Sequence, residues 1–239
     1  MDKEDRKEII REPEKSGRTD VRGKDRARTG ENTVSVESDI ERMKKEMEEH
    51  HGEIVCRELI WDLIPEINEM NQRLSEEGGH PVMDNLIWRV KSPESIVKKL
   101  RRKGKEVSYE SALLELSDLA GIRVVCFFQD DVYRMAKAIR KIPGIHIVKE
   151  KNYIAHPKDS GYRSIHIILE MLHNEDKIRV EIQIRSVAMN YWAILDHQLS
   201  YKNEKKGMEK LRKELKSYAI AIAKIDKKFL KLRKRIEKL

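Results

Sequence analysis

The spacing of apolar residues predicts helices near the amino-terminal end of the chain. From Ser38 to Leu74, apolar side chains recur every three or four positions, which places them on one side of a helix. Pro65 lacks a backbone donor and interrupts this pattern, so we expect two consecutive helices or one kinked helix. The run EEGGHP at 76–81 ends the helical segment.

Between Asp84 and Ser200 the pattern changes to short β-rich runs that alternate with helical runs. This alternation predicts an α+β fold, a mixed β-sheet flanked by helices. Ser92 and Pro93 are a good helix start, because serine caps free amides and proline suits the first helical position. The predicted strands are 85–91, 123–128, 145–151, 163–172 and 177–185, the last two forming a hairpin, and the predicted helices are 93–103, 109–117, 131–142 and 187–201.

A heptad spacing of apolar residues runs from Leu211 to Leu239 and predicts a long carboxyl-terminal helix. Residues 205–239 hold 14 basic and 4 acidic side chains, whereas residues 38–80 hold 5 basic and 12 acidic ones. Like charges would repel across a parallel homodimeric coiled coil. We therefore expect the basic helix to pack on the acidic amino-terminal helices, within one subunit or between subunits of a homo-oligomer such as a tetramer. The alternative is an RNA-binding arm.

The first 37 residues have a different composition from the remainder. They contain 10 basic and 10 acidic side chains but only seven apolar ones, too few to offset chain entropy by burial. We therefore predict a disordered charged tail at 1–37. It precedes a helical segment at 38–80, a candidate catalytic domain at 81–204 and the basic helix at 205–239.

Cysteine usage and hydropathy indicate a cytoplasmic protein. Cys56 and Cys126 are far apart in the sequence and fit neither a CxxC pattern nor the spacing of zinc ligands. No stretch approaches the roughly 18 apolar residues of a membrane span, and the first residues lack the apolar core of a signal peptide. We expect no membrane association.

The segment KIRVEIQIR separates two sheet faces. Strict alternation puts its branched apolar residues on one face and its polar residues on the other, namely Arg179, Glu181, Gln183 and Arg185. Taken alone, this is typical of an edge strand with a solvated face. The partner strand, however, carries His166 among apolar neighbours, and the sequence SGYRS and a lysine-bearing loop at 156–158 precede it. Titratable and aromatic groups therefore gather on this face.

A second cluster is SDLAGIR at 117–123. A helix is predicted to stop at Gly121, and Arg123 is predicted to begin a buried strand. Taken alone, Asp118 caps a turn and Arg123 extends its charged end to solvent.

The third cluster, RVKSPESIVKKLRR, is basic. Arg89 and Lys91 share one face of a strand, and Lys99 and Arg102 share one side of the next helix. An exposed basic helix explains this cluster by itself. All three clusters together supply many cations, one Asp and one Glu, a set that suits a polyphosphate with a divalent metal.

These motifs resemble the RelA/SpoT-type (p)ppGpp synthetases, specifically the short stand-alone small alarmone synthetases. The resemblance runs from about Leu86 to Lys202 and rests on RVKSPESI, DLAGIRVV, YIAHPKDSGYRSIH, VEIQIR and AMNYWAILDHQLSYK in this order. It implies a nucleotidyltransferase-like synthetase domain. The hydrolase domain's metal-binding His and Asp pattern is absent, which implies synthesis only. Asn152 stands where many relatives have Asp.

The resemblance also implies roles for the residues that match its motifs. Arg89 and Arg123 would hold the adenine of ATP between guanidinium planes, and Lys91, Lys99 and Arg102 would neutralise the donor phosphates.

On the other side of the reaction centre, Asp118 and Glu181 would bind Mg²⁺, and Glu181 would accept the proton of the acceptor 3′-hydroxyl. Tyr162 would stack on the guanine. The remaining acceptor contacts would come from Lys151, Lys158, His166, Gln183 and Asn190.

The function that follows is a GTP/GDP diphosphokinase, which transfers pyrophosphate from ATP to the 3′-hydroxyl of GDP or GTP. One alternative keeps this chemistry but uses an adenine nucleotide or the 3′ end of tRNA as acceptor. Another is a non-catalytic RNA- or nucleotide-binding module. The complete set of Asp118, Tyr162 and Glu181 argues against the second alternative, since a degenerate site would be expected to lose at least one of them.

Overall fold

The computed structural model describes residues 10–11, 30–173, 176–200 and 208–239. The strands are β1 (Ile10–Arg11), β2 (Met83–Val90), β3 (Ala120–Cys126), β4 (His146–Asn152), β5 (Ile165–His173) and β6 (Asp176–Ser186). The helices are α1 (Gly30–Glu49), α2 (Gly52–Gly78), α3 (Pro93–Arg102), α4 (Tyr109–Glu115), α5 (Gln129–Ile139), α6 (Val187–Ser200) and α7 (Met208–Ile236). The predicted mixed sheet flanked by helices is confirmed.

The six strands form one sheet in the order β1-β2-β3-β6-β5-β4. Strands β3 and β6 are parallel, whereas β2–β3, β6–β5 and β5–β4 are antiparallel. The predicted hairpin is β5–β6, whose register pairs His166 with Gln183. Because β6 lies between β3 and β5, polar residues from three separate sequence motifs are placed side by side.

The two faces of the sheet differ as the alternation predicts. One face carries fully buried aliphatic side chains, and α2 and α5 pack near it. The core includes Leu86, Ile122, Ile165, Val180 and Ile182. Burying a side chain of this size stabilises the fold by roughly 1.5–3 kcal/mol. The other face carries most of the polar residues of the three clusters.

The amino-terminal segment forms two consecutive helices, as one of the two predictions has it, but the break between them is not at Pro65. Helix α2 continues through Pro65, and Leu63, Ile64 and Ile67 around it are buried in the core. The break lies instead at His51, which adopts a left-handed backbone conformation with a φ of 49°. The packing of α2 therefore outweighs the proline signal.

The start of α1 also corrects the predicted boundary at residue 38. The helix begins at Gly30, and Val36, one helical turn before Ile40, extends the same apolar stripe. Ile10–Arg11 pairs with the edge of β2, although this pair too falls in the segment predicted to be disordered. The rest of residues 1–29 lies outside the described residues.

A third correction concerns Gly121. The helix before it ends at Glu115, because Leu116 already has an extended backbone. Gly121 lies within β3, paired with Arg89 on one side and Glu181 on the other. The strand therefore begins at Ala120, earlier than predicted.

Helix α7 packs on the sheet-bearing domain of its own chain, where it contacts α6 and α5. Trp192 Nε1 donates to the carbonyl of Leu215 at 3.0 Å, and Arg233 pairs with Asp130 at 2.7 Å. The predicted packing on the acidic helices is therefore wrong within one chain, because acidic residues at the start of α5 supply the partner carboxylates. Packing between subunits stays a prediction. Within the described ranges, no helix is long and apolar enough to cross a membrane.

Candidate active site

The polar sheet face brings the three sequence clusters together in two rows across the strands. One row runs from Arg89 on β2 through Gly121 on β3 to Glu181 on β6. The next row runs from Arg123 through Gln183 and His166 to Lys151. Paired residues on adjacent strands point to the same side of a sheet, so this register gathers the predicted site residues. Since Gly121 has no side chain, the floor between Arg89 and Glu181 stays open.

Asp118 lies just before β3 and is held by two lysines. Lys91 Nζ lies 3.0 Å from Oδ2, and Lys99 Nζ lies 2.8 Å from Oδ1. Burial raises the pKa of the Asp118 carboxyl, but the two ammonium groups outweigh burial and hold the pKa below its usual value. Burial likewise lowers the pKa of Lys91 despite the opposing effect of Asp118. The carboxylate is therefore ionised in a cationic setting.

Glu181 receives two hydrogen bonds of another kind. His166 Nδ1 lies 2.9 Å from Oε1, and Gln183 Nε2 donates to Oε2 at 2.7 Å. Burial opposes ionisation of Glu181, but these donors outweigh it and keep the pKa of the carboxyl below its usual value. Burial lowers the pKa of His166 although Glu181 opposes the shift, so the imidazole is neutral at pH 7.

Tyr162 lies at the other end of this group of side chains. Its hydroxyl is 2.7 Å from His166 Nε2 and accepts a hydrogen bond from Arg185 at 2.6 Å. The ring is close to two cations, with Lys158 Nζ at 4.8 Å and Arg185 Cζ at 5.0 Å from its centroid. Lys158 is exposed and Arg185 is buried, so Lys158 is the one of these two cations that lies at the surface.

Three guanidinium groups surround the middle of the sheet. Burial, reinforced by the charges of Arg185 and Arg89, lowers the pKa of Arg123 to about 10. Arg123 remains protonated at neutral pH, and its Nε is buried without a hydrogen-bond partner among the described residues. Arg89 and Arg123 repel each other, and the buried Nε of Arg123 has no partner among the described residues, so this pair of cations favours a ligand between them.

Two cavities meet at Trp88 and Arg89. A cavity of about 200 Å³ is lined by Asp118, Glu181, Gln183 and Arg123 among others. A larger one of about 820 Å³ extends from Arg89 and Lys91 towards α1 and α2. Sites for small molecules occupy roughly 300–1,000 Å³, so the combined space suits a nucleotide.

The structure brings most of the predicted site residues together, but Arg102 lies apart. Arg102 ends α3 with an exposed side chain and lines neither cavity. Lys151 and Lys158 lie at the acceptor end, the first paired with His166 across β4–β5. Asn190 on α6 is buried 3.5 Å from Arg185. Asn152, the departure from the family pattern, accepts the amides of residues 154 and 155 with Oδ1 at 3.0 Å, a role that an aspartate oxygen also fills.

Two residues near the site were not predicted. The sequence predicts Arg185 on the polar face of β6 without a role, and it predicts no role for Tyr153, which begins the motif YIAHPKDSGYRSIH. Tyr153 packs edge-on against Tyr162 and His166, with ring centroids 5.9 and 5.2 Å apart. Alternation along VEIQIR indicates that Arg185 shares a face with Glu181, but its contact with Tyr162 depends on the loop fold.

Comparison with known proteins places this site in a family. Residues 88–206 match the model for the region found in RelA / SpoT proteins. Over 200 residues the chain is 34% identical to the GTP pyrophosphokinase YwaC of Bacillus subtilis, which covers 82% of this chain and 95% of YwaC. The chain belongs to the RelA/SpoT family.

Other RelA/SpoT relatives agree with this assignment. GTP pyrophosphokinase YjbM of Bacillus subtilis is 30% identical over 185 residues, which is 76% of this chain and 86% of YjbM. The crystal structure of small alarmone synthetase 1 from Bacillus subtilis bound to its product pppGpp matches with a TM-score of 0.70 at 28% identity. That match covers 80% of this chain and 98% of the other. All the predicted site residues fall within residues 88–206, the region that matches the family model.

The RelA/SpoT site has the donor set for a magnesium ion that also binds substrate phosphates. Asp118 and Glu181 line the same cavity. Among the described residues, no group of three or more His, Cys, Asp or Glu side chains is arranged to hold a metal. Two carboxylates suffice for Mg²⁺, which usually binds one or two of them together with phosphates and water. The residues therefore fit a metal that arrives with a nucleotide.

Proposed function

We propose that this RelA/SpoT protein transfers the β,γ-pyrophosphate of ATP to the 3′-hydroxyl of GDP or GTP, giving AMP and ppGpp or pppGpp. The observation that carries the proposal is the pair Asp118 and Glu181 in one cavity, with cations on the Asp118 side and an aromatic group on the Glu181 side. In the reaction, the acceptor 3′-oxygen attacks the β-phosphorus of ATP, and the bond from that phosphorus to the α-phosphate oxygen breaks. AMP leaves.

The side of the site that would bind ATP, the donor side, is lined by cations. We propose that Arg89 and Arg123, on adjacent strands, hold the adenine between their guanidinium planes. Lys91 and Lys99 then exchange Asp118 for the donor phosphates. Lys91, whose depressed pKa reflects burial, presents its charge in a poorly hydrated setting, which strengthens its attraction for phosphate. Arg102 reaches the phosphates only if the end of α3 moves.

The acceptor side of the site supplies the general base of the reaction. Glu181 is ionised, lies beside the open floor at Gly121 and takes the proton of the 3′-hydroxyl. Proton transfer to a positioned carboxylate contributes roughly 10²- to 10⁴-fold. Tyr162 stacks on the guanine, and Lys151 and Lys158 bind acceptor phosphates.

We further propose Mg²⁺ as the cofactor, held by Asp118 and Glu181. When bound, the ion neutralises charge that develops on the transferred phosphates. The side chains themselves align the two substrates and exclude competing water, and positioning of this kind accounts for much of the catalysis of phosphoryl-type transfers.

The acceptor is tested by offering γ-labelled ATP and Mg²⁺ to the protein with GDP, GTP, ATP or deacylated tRNA in separate reactions. The proposal requires label in a guanine nucleotide product. Label in an adenine nucleotide or in tRNA would support the alternative acceptors, and no transfer at all would support a non-catalytic binding module.

We propose that the protein is a homo-oligomer, for which a tetramer is one arrangement. Much of the apolar heptad seam on α7 faces away from the body, and Tyr218, Ile225 and Phe229 are exposed. Helix α6, which packs beside α7, exposes Tyr191 and Leu199. Neighbouring apolar faces of this extent favour a protein partner. An RNA partner for the basic residues of α7 is the competing possibility.

We also propose a cytoplasmic location. Cys56 and Cys126 are free and buried in the described structure. Burial, with a smaller effect from Glu53, raises the pKa of the Cys56 thiol to about 12, so this thiol is inert at neutral pH. Unpaired cysteines are typical of a reducing compartment.

A further inference from the structure

Five side chains on the acceptor side form a closed ring of hydrogen bonds. Arg185 contacts the hydroxyl of Tyr162 at 2.6 Å and Oε1 of Gln183 at 2.7 Å, both through the same terminal nitrogen. Tyr162 then contacts His166 at 2.7 Å, and His166 contacts Glu181 at 2.9 Å. Gln183 closes the ring by donating to the second oxygen of Glu181 at 2.7 Å. The two branches begin at Arg185 and end on the proposed base.

The donor and acceptor direction of each contact follows from Arg185. A guanidinium can only donate, so the Tyr162 oxygen accepts from it and its proton is free to donate to His166 Nε2. With Nε2 as acceptor, the neutral imidazole carries its proton on Nδ1 and donates it to Glu181. In the other branch the carbonyl of Gln183 accepts from Arg185, so its amide points to Glu181. Each group has one consistent orientation.

Arg185 is well held for such a role. Its residue is only 5% exposed, it is the penultimate residue of β6, and its guanidinium lies beside the Tyr162 ring. The next residue, Ser186, donates to Asp226 on α7 at 2.6 Å, which fixes the end of the strand. A lysine cannot reproduce the planar fork of a guanidinium, even though it keeps the charge.

We infer that Arg185 is a positioning residue for the acceptor half of the reaction, one that orients both the stacking Tyr162 and the base Glu181 without touching a substrate. This inference rests on the proposed function, since it assigns Arg185 to the same site. It ties recognition of the guanine base to the orientation of the base catalyst through a single side chain. Changes at Arg185 then affect the acceptor and the turnover number but leave ATP binding intact.

The test compares steady-state kinetics of the wild-type protein, Arg185→Lys and the matched control Arg179→Lys. Arg179 lies on the same strand and the same sheet face, but its side chain donates to the carbonyl of Leu114 away from the site. We expect Arg185→Lys to raise KM for GTP by about ten- to a hundredfold and to lower kcat, because hydrogen bonds from a charged group are lost. KM for ATP should stay within about twofold, as should all constants of Arg179→Lys.

A double-variant cycle with Tyr162→Phe separates positioning from general support. The phenylalanine keeps the ring but removes the hydroxyl, so Arg185→Lys should raise KM for GTP much less in this background than in the wild type. Additive effects, or equal increases in KM for GTP and ATP, would overturn the inference. If Arg185→Lys fails to fold, Tyr162→Phe and Gln183→Met each break one branch, and normal kinetics in both would also overturn it.

The same assays distinguish failure of this inference from failure of the proposed function. If the wild-type protein transfers no label to any guanine nucleotide, the result contradicts both the proposed function and the role of Arg185. An active wild type beside an unaffected Arg185→Lys contradicts the role of Arg185 alone.

Discussion

Asp118 and Glu181 lie in one cavity but have opposite kinds of neighbour. Two ammonium groups hold Asp118, whereas a neutral imidazole and an amide hold Glu181. Both carboxyls have pKa values below their usual range despite burial, so neither needs a pH above neutral to be ionised. This difference suits Asp118 to a metal that binds the donor phosphates. It suits Glu181 to accept the proton of the acceptor 3′-hydroxyl.

Glu181→Gln should leave the fold intact and lower kcat by roughly 10²- to 10⁴-fold. An amide cannot take the proton of the 3′-hydroxyl, and it is a poor ligand for Mg²⁺. Single-turnover product formation measures the effect, with circular dichroism as the control for folding. A variant with near-normal kcat would remove Glu181 from the role of base.

Asp118→Asn should steeply raise the Mg²⁺ concentration needed for half-maximal activity. The change removes a metal ligand and leaves Lys91 and Lys99 without their counterion, so ATP alone must balance them. A magnesium titration at saturating GTP measures the shift. An unchanged titration curve would place the metal elsewhere.

Tyr162→Ala should raise KM for the acceptor much more than KM for ATP, since stacking on a base contributes roughly 1–3 kcal/mol. Steady-state assays with each substrate varied in turn measure the two constants. Equal weakening of both would mean that Tyr162 supports its loop instead of stacking on the guanine.

Among the elements, α7 reaches the site through the loop before β5. Ala219 on α7 packs against Gly161, where an added Cβ would lie only 2.5 Å from the Cβ of Ala219. Gly161 has a φ of +94°, which a glycine adopts without strain, and it directly precedes Tyr162. Helix α7 therefore fixes the position of the loop 153–164, here called the acceptor loop, relative to the sheet.

Ala219→Val should disturb this loop. The larger side chain pushes on Gly161, so we expect a loss of roughly 1–3 kcal/mol of stability. We also expect KM for the acceptor to rise more than KM for ATP, relative to the wild type. Thermal melts and kinetics measure the two effects. Ala221→Val is the matched control, because Ala221 is exposed on the same helix. Equal behaviour of the two variants would show that α7 does not position the loop.

The spacing of apolar residues predicts most helices and strands of the catalytic domain, because their buried faces extend over several helical turns or several strand residues. The strand around Gly121 was placed too late because a glycine next to a short helix resembles a helix stop, while its ladder partners are distant in sequence. The break at His51 has only the following Gly52 as a signal, and a glycine disfavours a helix less than Pro65 does. Arg185 shows the same limit for the site, since alternation gives its face but only the tertiary fold gives its contact with Tyr162.

At the scale of the whole molecule, helix α7 finds a different acidic partner from the one that the sequence predicts. The basic helix α7 meets acidic residues at the start of α5, where Asp131 is fully buried between His80, Arg134 and Arg233. Its apolar seam remains largely exposed. A second subunit that covers this seam would therefore also press on the helix that supports the acceptor loop.

Replacing Ile225 and Phe229 by serine should reduce the mass of the assembly in light scattering, because both lie exposed on the α7 seam. Lys227→Ser, between them on the same helix, is the control and should keep the mass. If the double variant keeps its mass, and variants of the α7 lysines lose salt-sensitive RNA binding instead, the helix is an RNA-binding arm and the oligomer proposal fails.

The central claim is direct transfer of pyrophosphate to a 3′-hydroxyl, and a comparison of GTP with 3′-deoxy-GTP tests it most directly. The wild-type protein is incubated with Mg²⁺ and ATP labelled at the β-phosphate, and the products are separated. Direct transfer predicts labelled pppGpp and unlabelled AMP with GTP, and no labelled guanine nucleotide with 3′-deoxy-GTP. Label transfer to 3′-deoxy-GTP, or label in ADP or free phosphate without a guanine product, would contradict it.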